Sequence, residues 1–212
     1  MRKVADILAK GLSALLYPLF IPTYGMMLFC YAFSLHQETL PLAWALIAII
    51  GTHVLTCTIP LTAILLLIRR GRVSNLLIKD AGERTIPYAY TTISFCFWCY
   101  LLIGILHTPL YINMVAVGAT IAIGIVTIIN RRWKISAHLT AMGGLFGGFM
   151  AYCLGIGAIP TSWLLCLWMI ITLLLMYARL WLNAHTPTQV VCGWLLGLTC
   201  TWVPYMIYYY VA

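Results

Sequence analysis

ARLWLNAHTPTQVVCGWLLG, residues 178–197, sets Arg179, His185 and Gln189 into a short polar interval between two long apolar runs. The rest of the chain shows why such an interval matters. Of its 212 residues 64% are hydrophobic and only 8% charged, with a mean hydropathy of +1.01. A water-soluble domain of that composition would have too little polar side chain to cover its surface. Apolar runs in a bilayer must close their backbone hydrogen bonds internally, which selects helices, because membrane strands would be shorter and alternate in polarity. The expected fold is an all-α polytopic helical membrane protein, residues 1–212 forming one transmembrane bundle.

Runs near the ~20 residues that a bilayer requires fall at 11–34, 41–68, 88–107, 110–130, 138–158, 161–178 and 189–211, giving seven spans, with six as the alternative. Arg2, Lys3 and Lys10 before an apolar stretch resemble the opening of a signal peptide. The stretch is long and has no small-residue cleavage pattern, so a retained first helix is expected. Pro18 and Pro22 would kink that span or make it partly re-entrant or interfacial, and Pro60 would bend the second, since proline removes a backbone donor and crowds the preceding turn. The eight cysteines, Cys96 and Cys99 included, all lie within apolar runs where thiolates are disfavoured. They read as small packing residues, without a disulfide or a metal site. Gly143, Gly144, Gly147 and Gly148, with Gly193 and Gly197 four residues apart, form faces that let helices approach closely.

Charge placement carries the functional signal. The twelve Lys and Arg residues fall at the N-terminus, in 69–88, in 130–138 and at Arg179, whereas 35–40, 107–110 and 158–161 hold none. Two spans separate successive clusters, so one membrane face is cationic and the other bare. The positive-inside rule explains this by topology and makes the cationic face cytoplasmic. The alternative is convergence of three loops on one anionic ligand, because phosphate oxygens favour several cationic and hydroxyl donors in fixed geometry. The loops supply such groups: Lys79 and Arg84 beside Asp80 and Glu83, then Ser136 and His138 at a helix mouth, then Arg179 six residues before His185. A hydroxyl and an imidazole at a helix N-terminus suit phosphate binding and proton delivery to a leaving oxygen.

This order of a Lys/Arg loop, a Ser-x-His loop and an Arg-x5-His loop resembles the type 2 phosphatidic acid phosphatase superfamily of integral membrane lipid phosphatases, over roughly residues 69–211. The strongest part is residues 178–197, similar to the family's Ser-Arg-x5-His-x3-Asp motif running into its last helix, while "ISAH" (135–138) is similar to Pro-Ser-Gly-His. The resemblance implies that His185 attacks phosphorus and is phosphorylated, that His138 protonates the departing oxygen, and that Lys79, Arg84, Ser136 and Arg179 hold the nonbridging oxygens. It implies no metal and no organic cofactor.

The chain departs from these motifs at several positions. Lys79 and Arg84 are closer together than in the family's first motif, and Pro87 is not adjacent to Arg84. Ile135 and Ala137 replace Pro and Gly, Ala178 replaces Ser, and Gln189 stands where an acidic residue should orient the nucleophile. Asp80 or Glu83 could supply the missing charge if the first loop folds over the site. Two functions stay open: a lipid phosphate or pyrophosphate phosphatase, and a noncatalytic lipid-phosphate binder, carrier or assembly protein on the same fold. The expected partners are a membrane lipid phosphate and anionic lipids in a bacterial inner membrane. The net charge of +8 is split among juxtamembrane loops, so no basic surface for nucleic acid is expected.

Overall fold

Helices dominate because an apolar chain with no alternation of polarity can satisfy its backbone only along itself. The computed structural model describes residues 2–35, 41–75, 78, 81–155 and 162–211, and contains no strand among them. Eight helices follow in order: α1 (Arg2–Leu15), α2 (Ile21–Leu35), α3 (Leu42–Arg69), α4 (Ala81–Tyr100, continued by a π turn at Leu101–Ile105), α5 (Leu110–Ile129), α6 (Ala137–Gly155), α7 (Ser162–Trp181) and α8 (Pro187–Val211). The six from α3 to α8 are long and apolar enough to cross a membrane.

The expected span at 11–34 is two helices. Leu16–Phe20 form turns instead of continuing the helix, and the following α2 has only 15 residues. Proline is the physical reason: Pro18 cannot donate to a helical carbonyl, and it biases Tyr17 away from helical backbone. Pro60 acts differently. Just before it, α3 opens into a π turn at Val54–Thr58, closed by the Ile59 N–H on the Val54 carbonyl, so the helix persists through the proline.

α1 has three faces. Ala9 and Ser13 are buried against the protein, Lys3 and Lys10 are exposed, and Val4, Ile7, Leu8 and Leu15 are exposed and apolar. That pattern belongs to a helix lying in the membrane interface. α1 packs on α7, and Trp181 Nε1 donates to Asp6 Oδ1 at 2.8 Å.

α6 and α8 pack most extensively, and they run parallel, since Ser136, Thr140 and Gly147 meet Gly193, Gly197 and Leu198 in the same order. A Cβ on Gly143 would sit 2.0 Å from the Trp194 carbonyl oxygen, and one on Gly197 would sit 1.9 Å from that of Thr140. Only hydrogen fits at either place. In lipid, where no hydrophobic force drives helices together, this backbone approach is what supplies dispersion contact. Thr201 Oγ1 reinforces it by donating to the Gly144 carbonyl at 2.9 Å. A parallel pair in close register places both helix N-termini at one end of the bundle, and the motif residues are there. Aromatic packing of Phe29, Phe33, Phe149 and Tyr152 closes the opposite half of the core.

Candidate active site

The loop before α6 is docked on the start of α8. The Ser136 N–H donates to the Gln189 carbonyl at 3.3 Å, and the Ser136 carbonyl accepts the first helical bond from Thr140. Ser136 is thus the N-cap of α6. An N-cap hydroxyl ordinarily accepts a bond from its own helix, yet Ser136 Oγ is fully buried and has no hydrogen-bond partner among the described residues. The hydroxyl is thus spared from capping at the positive end of the helix, although Ser136 is not among the residues that line the pocket described below.

At the start of α8, Thr186, Pro187 and Gln189 form a capping box. The Gln189 N–H donates to Thr186 Oγ1 at 3.4 Å, and Gln189 Oε1 accepts the Thr186 N–H at 3.2 Å. The same Oε1 lies 3.1 Å from His185 Nδ1. The backbone N–H of Thr186 can only donate, so the Gln189 atom facing it is oxygen, and His185 must carry its proton on Nδ1 to share that oxygen. Nε2 of His185 keeps its lone pair. Burial, then the positive charge of Arg179, lower the His185 pKa from 6.5 to about 4, against the opposing bond to Gln189. At neutral pH this imidazole is uncharged and nucleophilic.

One pocket, about 670 Å3 including its mouth, is lined by Tyr17, Arg84, Tyr88, His138, Arg179 and His185 together with apolar side chains. Arg84 is 5% exposed and sits in the first turn of α4, where a cation opposes the helix dipole. Its Nε donates to the Ile78 carbonyl at 2.6 Å, and Ile78 is held in left-handed backbone at φ 38°. Such a conformation strains a β-branched residue. Arg179 projects from the last turn of α7, and its buried Nε has no hydrogen-bond partner among the described residues. No acidic residue lines the pocket among the described residues. His138, the second residue of α6, is buried, and its Nε2 lies 3.1 Å from the Ser13 carbonyl oxygen. Tyr17 meets the His138 ring edge-on, with centroids 5.8 Å apart. Burial, with Tyr88 next in effect, pushes the Tyr17 hydroxyl up to about 12, keeping it neutral.

The structure therefore brings together Arg84, His138, Arg179 and His185, with Ser136 and Gln189 bonded alongside. Glu83 points elsewhere: its Oε2 accepts the Ser74 N–H and hydroxyl, both at 2.9 Å. Lys79 and Asp80 lie outside the described residues. Ser13, Tyr17 and Tyr88 are site neighbours that spacing along the chain did not single out.

A second, apolar cavity of about 830 Å3 with its mouth runs between α2, α4, α5 and α6, past Met26, Phe29, Phe95 and Trp98. Pro18, Leu19, Thr91, Ile123 and Ala137 line both cavities, so the two adjoin. Residues 115–212 match a family model described as the PAP2 superfamily. No curated protein and no solved structure matches the chain.

Proposed function

Since residues 115–212 match the PAP2 superfamily model, we propose that the chain is a member of that superfamily and a phosphatase that removes phosphate from a lipid phosphate or pyrophosphate through a phosphohistidine on His185. One observation carries the reading: two arginines and two histidines line one largely buried pocket in which no described side chain is anionic. Like charges brought together out of water need a counter-charge, and a phosphate headgroup provides it. The adjoining apolar cavity supports an alkyl or prenyl anchor on that phosphate.

In the proposed reaction His185 Nε2 attacks phosphorus in line with the leaving oxygen, forming the N–P bond as the P–O bond breaks. Arg84, Arg179, Ser136 Oγ and the N-terminus of α6 hold the nonbridging oxygens, with Lys79 as a further cation. Charge spreads over those oxygens in the transition state, so fixed donors lower its energy. His138 gives a proton to the leaving lipid oxygen. Water then attacks phosphorus, His138 takes a proton from it, and the N–P bond breaks to release phosphate and restore His185. The exposed Arg2, Lys3, Lys10, Arg69, Arg70, Arg72, Arg131 and Arg132 suit anionic headgroups, and by the positive-inside rule this face is the cytoplasmic one of a bacterial inner membrane.

The test is phosphate release by purified protein from phosphatidic acid, phosphatidylglycerol phosphate, a polyprenyl pyrophosphate and phosphorylated lipid A, beside His185→Ala and His138→Ala. Release that either substitution abolishes supports the reaction. Gln189 favours one competing reading, a pocket that binds without turnover. Binding lost in Arg179→Ala, without release from any lipid, would establish that reading instead.

A further inference from the structure

The two histidines of the pocket are anchored through opposite ring nitrogens. Gln189 Oε1 holds Nδ1 of His185 at 3.1 Å, whereas the Ser13 carbonyl holds Nε2 of His138 at 3.1 Å. A carbonyl oxygen can only accept, so Nε2 of His138 carries a proton and donates it to Ser13. The group responsible lies 125 residues earlier in the chain, at the end of α1 and outside the matched family segment.

Resting on the phosphatase reading above, we infer that the Ser13 backbone carbonyl is the positioning group for His138, committing Nδ1 of that ring to the proton delivered to the leaving oxygen. Gln189 does the complementary work for His185, freeing Nε2 for phosphorus. Several contacts keep the carbonyl in place. Asp6 ties α1 to Trp181 at the end of the helix that carries Arg179. The Tyr24 hydroxyl donates to the Leu15 carbonyl at 3.0 Å, bracing the turn from beyond Pro18. Tyr17 covers the His138 ring edge-on. Ser13 itself is 6% exposed, so water does not compete freely for the bond. Delivery requires a doubly protonated His138, with Nε2–H retained by Ser13 while the Nδ1 proton passes to the alkoxide as the P–O bond breaks. In the second step Nδ1 takes a proton from the attacking water, which restores the donor.

Ala14→Pro tests the assignment without altering a pocket residue. Ala14 is exposed, and a proline there disfavours helical backbone at Ser13, which swings its carbonyl away. Ala14→Gly, which leaves the carbonyl in place, is the control. Leaving-group release is measured in a single turnover with an alkyl phosphate, whose alkoxide needs a proton, and with p-nitrophenyl phosphate, whose phenolate does not. Ala14→Pro is expected to slow the alkyl phosphate by roughly 10²-fold or more, the scale of general-acid assistance, and p-nitrophenyl phosphate by no more than about threefold. Ala14→Gly is expected to resemble the parent on both substrates.

Equal slowing of both substrates would make α1 a structural support only, and no slowing of either would show that the carbonyl does not position His138. Each result overturns the assignment while leaving the phosphatase reading intact. A parent protein that cleaves neither substrate would overturn both. If Ala14→Pro does not fold, ¹⁵N-histidine spectra of the parent, with the His138 signals identified by His138→Asn, answer the same question. Protonated Nε2 is expected, and a ring protonated on Nδ1 alone would refute the inference.

Discussion

Replacing Gln189 with Glu places a carboxylate beside His185 without changing side-chain length. Both partners of Gln189 Oε1, the Thr186 N–H at 3.2 Å and His185 Nδ1 at 3.1 Å, are donors, so a carboxylate oxygen satisfies both. Glu at this third helical position also preserves the capping box and sits favourably at the positive end of α8. Hydrogen bonds to neutral groups contribute about 0.5–1.5 kcal/mol, and those to charged groups about 1.5–3 kcal/mol. The added stabilisation of the charge developing on His185 is therefore about 1–1.5 kcal/mol, or roughly tenfold in rate. The ~10⁴-fold cost of an amide in the serine-protease triad arises from a wrong tautomer. Here the tautomer is already right, because Thr186 turns the amide oxygen toward Nδ1. Initial rates of phosphate release from a micellar lipid phosphate measure the change, with Gln189→Leu expected to lose activity and thermal stability together. A rate gain of 10³ or more in Gln189→Glu would mean that Gln189 does not set the tautomer. A loss of rate would refute the role of Oε1 altogether.

The depressed His185 pKa of about 4 places protonation of its imidazole well below the usual histidine range. Histidine NMR assigned with His185→Asn is expected to show a midpoint near that value, and a midpoint near 6.5 would contradict the desolvated site. The folded protein binds fewer protons at His185 than the unfolded chain between 6.5 and about 4, so this group's contribution to stability is present above 6.5 and lost as pH falls through that window. Gly197→Ala, whose new Cβ would meet the Thr140 carbonyl at 1.9 Å, is expected to cost about 1–3 kcal/mol or more and to abolish activity by parting the two motif loops. Gly11→Ala, with nothing within 4 Å, should be neutral or stabilising by about 0.5–1 kcal/mol in thermal unfolding. A cysteine placed at the exposed Arg132 is expected to react with a membrane-impermeant maleimide only from the cytoplasmic side, and labelling solely from outside would reverse the orientation.

Hydropathy locates α3 and α5 to α8 to within a few residues because each is a continuous apolar run. It reads 11–34 as one span because averaging across a window hides the break that Pro18 makes. α4 starts before the expected position 88: Pro87 stands inside the helix as its seventh residue, where it cannot donate to the Glu83 carbonyl, and the helix runs through it. His138, Arg179 and His185 are legible because a polar side chain at the end of a membrane helix is unusual enough to stand out alone. Arg84 shares their pocket, while its neighbour Glu83 turns to Ser74; adjacent residues on a helix point about 100° apart, which loop composition does not reveal. The Ser13 carbonyl could not be read at all. It is a backbone atom far away in sequence, and no residue type advertises its use.

Transfer of phosphate to His185 tests the central claim most directly. Protein mixed with a lipid phosphate bearing ³²P and quenched in base within one turnover is expected to carry an acid-labile, base-stable label on the peptide containing residues 182–189. The label should be absent in His185→Ala. In Arg179→Ala, which loses a cation from the pocket, it should be reduced by roughly 10²-fold or more. Phosphate released by the parent protein with no label on any histidine, or with the label unchanged in His185→Ala, would contradict the account.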